Sequence, residues 1–270
     1  MRVAAIQMNS GADVSANLRL ADQLLADAAA DGCTLAVLPE NFALMPERGR
    51  DKAKISEAPG EGPIQAFLSE ASKRHHLWII AGSMPLNSPE IVKQRVYGAC
   101  PVIDANGETQ AIYRKIHLFD VDLSDEQESY RESRSMVPGE DVVTVETPCG
   151  RVGLTICYDL RFPELFRQLV DAGATMFTVP AAFTTTTGEA HWHTLLRARA
   201  IENLAYVIAA GQYGKHPDGR STFGHSVIID PWGRILAEAA EGNCHVTADI
   251  DPELPVKLRG EFPALANRRL

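Results

Sequence analysis

What this chain has little of narrows its class before any motif is considered. It carries five cysteines in 270 residues (Cys33, Cys100, Cys149, Cys157 and Cys244), an odd number, scattered and without a C-x-x-C pair. That spacing excludes a disulfide framework and a zinc ribbon, and it fits a reducing, cytoplasmic setting. No run is long and apolar enough to span a bilayer, and Met1-Arg2-Val3-Ala4-Ala5-Ile6-Gln7-Met8 is too short in apolar residues for a secretory signal. Positive charge is scarce: 26 lysines and arginines stand against 35 acidic residues, for a net charge of -9. Nucleic-acid and anionic-membrane partners both need clustered cations, so a small molecule is the expected partner. Neither G-x-G-x-x-G nor G-x-x-x-x-G-K-S/T occurs, so no nucleotide cofactor is expected. No Pro/Ser-rich linker interrupts the chain, and with 45% hydrophobic residues it can bury a full core, so residues 1–270 are expected to form one domain.

What is present alternates between short apolar runs and amphipathic stretches. Strands are predicted at Val3–Met8, Thr34–Leu38 and Trp78–Ala81, and a hairpin at Tyr97–Ile103 and Glu108–Tyr113 around Asn106-Gly107. Further strands are predicted at Asp141–Glu146, Val152–Ile156, Thr175–Val179, Ala205–Ala210, Gly224–Asp230, Ile235–Ala239 and His245–Ile250. Leu18, Ala21, Leu24, Leu25 and Ala28 share one face of a helix over Asn17–Ala30, and a second helix starts at Gly62-Pro63 with Ile64, Phe67, Leu68 and Ala71 inward. A third follows Pro163, and Glu189–Asn203 is the fourth, after a Thr-rich loop at Phe183–Gly188. Asp120–Gly139 is polar, acidic and without periodicity, a length of loop that is usually functional. About a dozen strands and four sizeable helices, with hairpins and helical crossovers mixed, give an α/β fold of sheets packed together under outer helices.

Three positions are candidates for chemistry. Cys157 sits where an apolar strand turns into the helix that opens at Pro163, so its thiol can project beyond the strand end while backbone N–H groups point at whatever reacts with it. A buried structural cysteine explains this stretch alone equally well. Glu40 follows a strand directly, in Leu38-Pro39-Glu40-Asn41-Phe42, at the end where α/β sheets hold their sites; a solvated loop acid is the plainer reading. Lys115, in Tyr113-Arg114-Lys115-Ile116-His117-Leu118, is either a surface lysine or a desolvated site cation. His191 and His193 form H-x-H on a helix, where the two rings point apart, so no metal pair is expected.

Taken together, and in this order, these three motifs resemble the Glu-Lys-Cys triad of the nitrilase superfamily of carbon-nitrogen hydrolases, and the similarity runs from Val3 to the C-terminus. Arg131-Glu132-Ser133, Val137-Pro138-Gly139, Arg197-Ala198-Arg199-Ala200-Ile201-Glu202 and Gly224-His225-Ser226 resemble its Nit branch. The resemblance implies a four-layer α-β-β-α sandwich, with two six-stranded sheets face to face and a pair of helices on each outer face. It also implies homodimers, or higher homo-oligomers, joined through helices. One departure bears on specificity: Gly188-Glu189-Ala190-His191-Trp192 stands where the family often has Gly-Pro-Ala-His-Trp, which would place a glutamate near the pocket mouth.

The implied activity is hydrolysis of a small linear amide without metal or cofactor. Cys157 is then the nucleophile and Glu40 the general base, while Lys115 and the Tyr158 backbone N–H stabilise the developing oxyanion. Glu132 matches the family's additional glutamate that orients the lysine or the substrate, with Glu126 and Glu128 as competitors in the same loop. Arg161, His191 and the cations of Gly214–Arg220 are candidate substrate-binding groups able to hold carboxylates. Within the Nit branch the motifs lie nearer the enzymes cleaving deaminated glutathione, the 2-oxoglutaryl amide of cysteinylglycine, than the ω-amidases acting on 2-oxoglutaramate. An acyltransferase using the same triad, a thiol redox sensor built on Cys157 and a catalytically silent scaffold are the alternatives. The sensor lacks a resolving cysteine nearby, and the scaffold should have lost a triad position.

Overall fold

The first strand, Arg2–Gln7, sorts its side chains by parity: Val3 and Ala5 enter one hydrophobic cluster, Ala4 and Ile6 another. Apolar residues on both sides of a strand mean a sheet covered on both faces. The computed structural model, which describes residues 1–123 and 128–269, shows what covers it.

The sheet containing this strand has seven strands. Its order is Cys244–Asp249, Arg2–Gln7, Leu35–Val37, Trp78–Ile80, Val96–Ile103 and Met84–Asn87, with Thr109–Arg114 also paired to Val96–Ile103. A second sheet of six runs Ile235–Glu238, Val227–Ile229, Tyr206–Gly211, Met176–Ala181, Gly150–Leu154 and Thr144–Thr147. Each sheet contains three adjacent parallel strands, and the flanking pairs are antiparallel. The sheets stack, so that Val3, Ala5 and Val37 share a core with Val152, Leu154 and Ile208.

Helices α1 (Val14–Ala30) and α2 (Pro63–His75) bury Leu24, Leu25, Ile64 and Leu68 on the outer face of the first sheet. Helices α3 (Pro163–Asp171) and α4 (Thr185–Asn203) bury Leu165, Phe166, Leu169, Trp192 and Leu196 on the outer face of the second. A short helix, α5 (Leu254–Glu261), follows the last strand. The layers are therefore those of the expected α-β-β-α sandwich, with seven strands in the first sheet where six are expected.

Three local expectations change. The Thr-rich segment 183–188 is not a loop throughout: α4 begins at Thr185, because the Thr184 hydroxyl caps it by accepting the Thr187 N–H. Threonine is a poor interior helix former but a good cap, so a Thr run reads as loop when it is a helix start. Segment 120–139 contains a hairpin, Asp120–Leu123 with Glu128–Arg131, followed by a 3₁₀ turn at Glu132–Arg134. A small hairpin at Tyr213–Lys215 and Ser221–Phe223, and the strand Met84–Asn87, carry Gly, Lys and Pro and escape a search for β-branched alternation.

Candidate active site

Glu40, Lys115 and Cys157 each lie just past the end of a strand, and the stacking of the two sheets brings them together. Leu35–Val37 leads into Pro39-Glu40, Thr109–Arg114 into Lys115, and Gly150–Leu154 into Cys157. Two of the turns are made by residues with positive φ that are not glycine, Asn41 at 59° and Cys157 at 50°. Left-handed backbone at such residues is held only where surrounding contacts over-determine it. Those contacts are present: Asn41 N–H donates to Ser83 Oγ at 2.9 Å, and Gln212 Nε2 donates to the Glu40 carbonyl at 3.0 Å. At the cysteine turn Asp159 does the holding. Its carboxylate accepts from the Ile156 N–H (2.8 Å), the Tyr113 hydroxyl (2.7 Å) and the His117 N–H (3.0 Å), tying the cysteine turn to both flanks of Lys115.

Lys115 is 2% exposed and its ammonium is saturated. Nζ donates to Glu40 Oε1 at 2.8 Å and to Glu132 Oε2 and Oε1 at 2.9 and 3.0 Å. Glu132 is steadied in turn by the Phe119 N–H, which donates to Oε2 at 2.7 Å. Of the competitors, Glu126 lies outside the described residues, and only the backbone of Glu128 is described. Cys157 and Glu40 line the same cavity, and the charge of the Glu40 carboxylate acts on the buried Cys157 thiol.

The protonation states follow from burial set against charge. Burial drives the Glu40 carboxyl upward, but the charge and hydrogen bond of Lys115, helped by Lys52 and Cys157, bring it below the ordinary carboxylate value. Burial opposes charge on Lys115 as well, yet Glu132 and Glu40 hold it well above the usual lysine value. Cys157 is pushed well above a free thiol, first by burial and then by the Glu40 charge, with Lys115 and the Ala182 N–H opposing. The resting arrangement is a neutral thiol beside a carboxylate and an ammonium. Such a set can move a proton from sulfur to Glu40 as the sulfur attacks a carbonyl.

The site opens into a cavity of about 560 Å³ that also reaches Tyr158, Arg161, Asp218 and Arg220. Tyr158 occupies the first turn of a 3₁₀ helix, Cys157–Arg161, where a backbone N–H has no intrahelical partner. His191 does not line the cavity; its Nδ1 sits 3.3 Å from Arg161 Nη1. Glu189 is exposed on α4 and does not line the cavity. Of the 214–220 loop, Asp218, Gly219 and Arg220 line the cavity, while buried His216 hydrogen-bonds Thr222 Oγ1 at 2.7 Å. His191 and His193 point apart as expected. His193 instead joins His225 and Glu238 in a surface trio whose ligand atoms lie within 4.8 Å of one another. Both rings there already hydrogen-bond the Glu238 carboxylate, at 2.9 and 2.7 Å.

The residues that escape the sequence are those whose role is tertiary. Asp159 lies inside the cysteine motif, but nothing in its spacing says that it is fully buried. Lys52 belongs to the charged run Gly49-Arg50-Asp51-Lys52-Ala53-Lys54, which reads as a solvated face, yet it is buried and lines the cavity.

The sandwich and its buried Glu-Lys-Cys cluster define a class, and the sequence matches the carbon-nitrogen hydrolase family over residues 2–259. The chain belongs to that family. Among its relatives, the deaminated glutathione amidase of Yersinia enterocolitica is 39% identical over 270 residues, covering 99% of this chain and 92% of that protein. The crystal structure of Saccharomyces cerevisiae Nit3, a member of branch 10 of the nitrilase superfamily, superposes with a TM-score of 0.88 at 32% identity, covering 100% of this chain and 97% of that one. The C. elegans NitFhit protein gives a TM-score of 0.90 at 35% identity over 99% of this chain, which spans 65% of the NitFhit chain.

Proposed function

We propose that this carbon-nitrogen hydrolase is a thiol amidase that cleaves deaminated glutathione to 2-oxoglutarate and Cys-Gly through a thioester on Cys157. The observation that carries the chemistry is the buried cluster: one ammonium between two carboxylates, with the Cys157 thiol in the same cavity and under the charge of Glu40. In the first half-reaction the Cys157 proton moves to Glu40 as the Sγ–C bond forms. The oxyanion collects hydrogen bonds from Lys115 and the Tyr158 N–H, and Glu40 returns the proton to the departing nitrogen as the C–N bond breaks. Water, deprotonated by Glu40, then opens the thioester. Because all three Lys115 hydrogens are engaged at rest, the lysine must loosen one Glu132 contact to meet the oxyanion. Glu132 acts as a positioning residue for that lysine.

The substrate is supported by the activity for which the Yersinia relative is named and by the cavity. Its volume of about 560 Å³ falls inside the roughly 300–1,000 Å³ of pockets that enclose drug-sized ligands, and leaves room for a dipeptide leaving group. The same reading makes the protein a cytoplasmic homodimer, or higher homo-oligomer, with a small amide rather than nucleic acid as its partner. Exposed Ile201, Trp232 and Phe262, around the end of α4, support an assembly surface. The test is kcat/KM for deaminated glutathione and 2-oxoglutaramate on one preparation. Deaminated glutathione should be preferred; a preference of about tenfold or more for 2-oxoglutaramate, near 1.4 kcal/mol in the transition state, would make the protein an ω-amidase instead.

A further inference from the structure

A second lysine faces the cavity, and among the described residues its ammonium has no partner. Lys52 lies in the 3₁₀ helix Gly49–Lys54 and is 8% exposed. Among the described residues it donates no hydrogen bond and forms no ion pair within 4.0 Å, unlike Lys115, which makes three bonds. A buried ammonium is costly unless something compensates it. The charges that act on it are Glu132 and Glu40, which attract it, and Arg220 and Lys115, which repel it. Both carboxylates are already committed to Lys115.

The surroundings point to the missing compensation. Five cations and three carboxylates line the cavity, a local excess of positive charge in a chain of net charge -9. Arg220 is held by Asp218 through Nε and Nη2, both at 2.6 Å, and lies over the Tyr130 ring at 5.8 Å. That fixes its guanidinium, and among the described residues Nη1 makes no hydrogen bond and is left for a ligand. A fixed arginine next to a desolvated, unpaired lysine, in the cavity that holds the nucleophile, suits one chemical group: a carboxylate on the molecule that occupies the cavity.

We propose that Lys52, with Arg220 beside it, is the anchor for a substrate carboxylate and so sets this enzyme's selectivity for acidic amides over neutral ones. The proposal rests on the amidase reading above. Lys52 is a specificity residue here; it takes no part in proton transfer, and the carboxylate supplies the hydrogen-bond acceptor that the protein withholds from it.

Burial lowers the Lys52 pKa to about 8, Glu132 and Glu40 opposing and Arg220 and Lys115 assisting. The ammonium is therefore charged below that pH and lost above it, whereas an arginine at the same place stays charged.

The experiment compares kcat/KM for deaminated glutathione and its dimethyl ester in wild type, Lys52→Met and Lys52→Arg. Losing one charge-assisted contact should lower the preference of Lys52→Met for the diacid by about ten- to a hundredfold, and Lys52→Arg should keep most of it. In wild type the preference should decline as pH rises past about 8, and in Lys52→Arg it should not. Equal losses on diacid and ester in Lys52→Met would overturn the anchor while leaving the amidase standing, as would an unchanged preference. Absence of wild-type turnover on both compounds would remove the amidase reading and the anchor with it. A thermal melt guards against misfolding: removing an unpaired buried cation should not lower the Tm, so a preference lost only with a lowered Tm in both variants also counts against the proposal.

Discussion

Glu40 and Glu132 bind the same ammonium, yet Glu40 is the carboxylate whose charge raises the Cys157 thiol. That difference separates their roles. Glu40→Gln removes the proton acceptor for Cys157 and should lower kcat by about 10²–10⁴, the usual worth of general-base catalysis. Glu132→Gln keeps a carbonyl oxygen for Lys115 and should retain at least about ten times more activity than Glu40→Gln. Single-turnover rates on folded variants check this, and equal losses would put Glu132 in the chemistry itself. These residues are legible in the sequence because each stands in a run with a distinctive context: Leu-Pro-Glu after a strand, Tyr-Arg-Lys at a strand end, Cys-Tyr-Asp at a turn. Lys52 is not, since all six residues of its run are charged or small and its burial is decided by what folds over it. His191 is the converse case: a ring in a recognised motif whose place behind Arg161 only the packing of α4 reveals.

At the scale of elements, the site depends on turns as much as on side chains. Gly82, at φ +59°, follows the strand Trp78–Ile80, and a Cβ there would run into the carbonyl oxygens of Pro39 and Leu38. The close approach of these two loop backbones sets the height of Glu40 above the sheet. Gly82→Ala should therefore displace Glu40 and lower kcat/KM by about 10², the scale of an ångström's misplacement, with a smaller effect on KM. Steady-state kinetics beside a thermal melt would test this; wild-type activity in a folded Gly82→Ala would show that the turn does not position the base. Element order and type follow the apolar periodicity well, as in α1, α2 and the hairpin around Gly107, because one face of each is buried. Element ends follow it poorly. Helix α4 starts four residues earlier than its apolar pattern does, because its first turn is fixed by the Thr184 cap and by Gly188 packed against Phe223, contacts that carry no periodic signal.

At the scale of the whole molecule, stacking two sheets brings together three groups separated by 75 and 42 residues along the chain, and encloses them deeply enough to set their charges. The layered architecture comes from strands covered on both faces, and their apolar runs are visible in the sequence; the seventh strand of the first sheet, carried by Met84-Pro85-Leu86-Asn87, is not. The molecule is acidic overall and cationic in its cavity, which is the arrangement an acidic amide requires. On this account the cavity delivers such an amide to Cys157 for covalent hydrolysis. Rapid-quench intact-protein mass spectrometry with deaminated glutathione tests it most directly. A 2-oxoglutaryl adduct should accumulate transiently on the peptide containing Cys157 and be absent, along with turnover, in a folded Cys157→Ala; an adduct on Cys33 or Cys149, or hydrolysis surviving in Cys157→Ala, would contradict it.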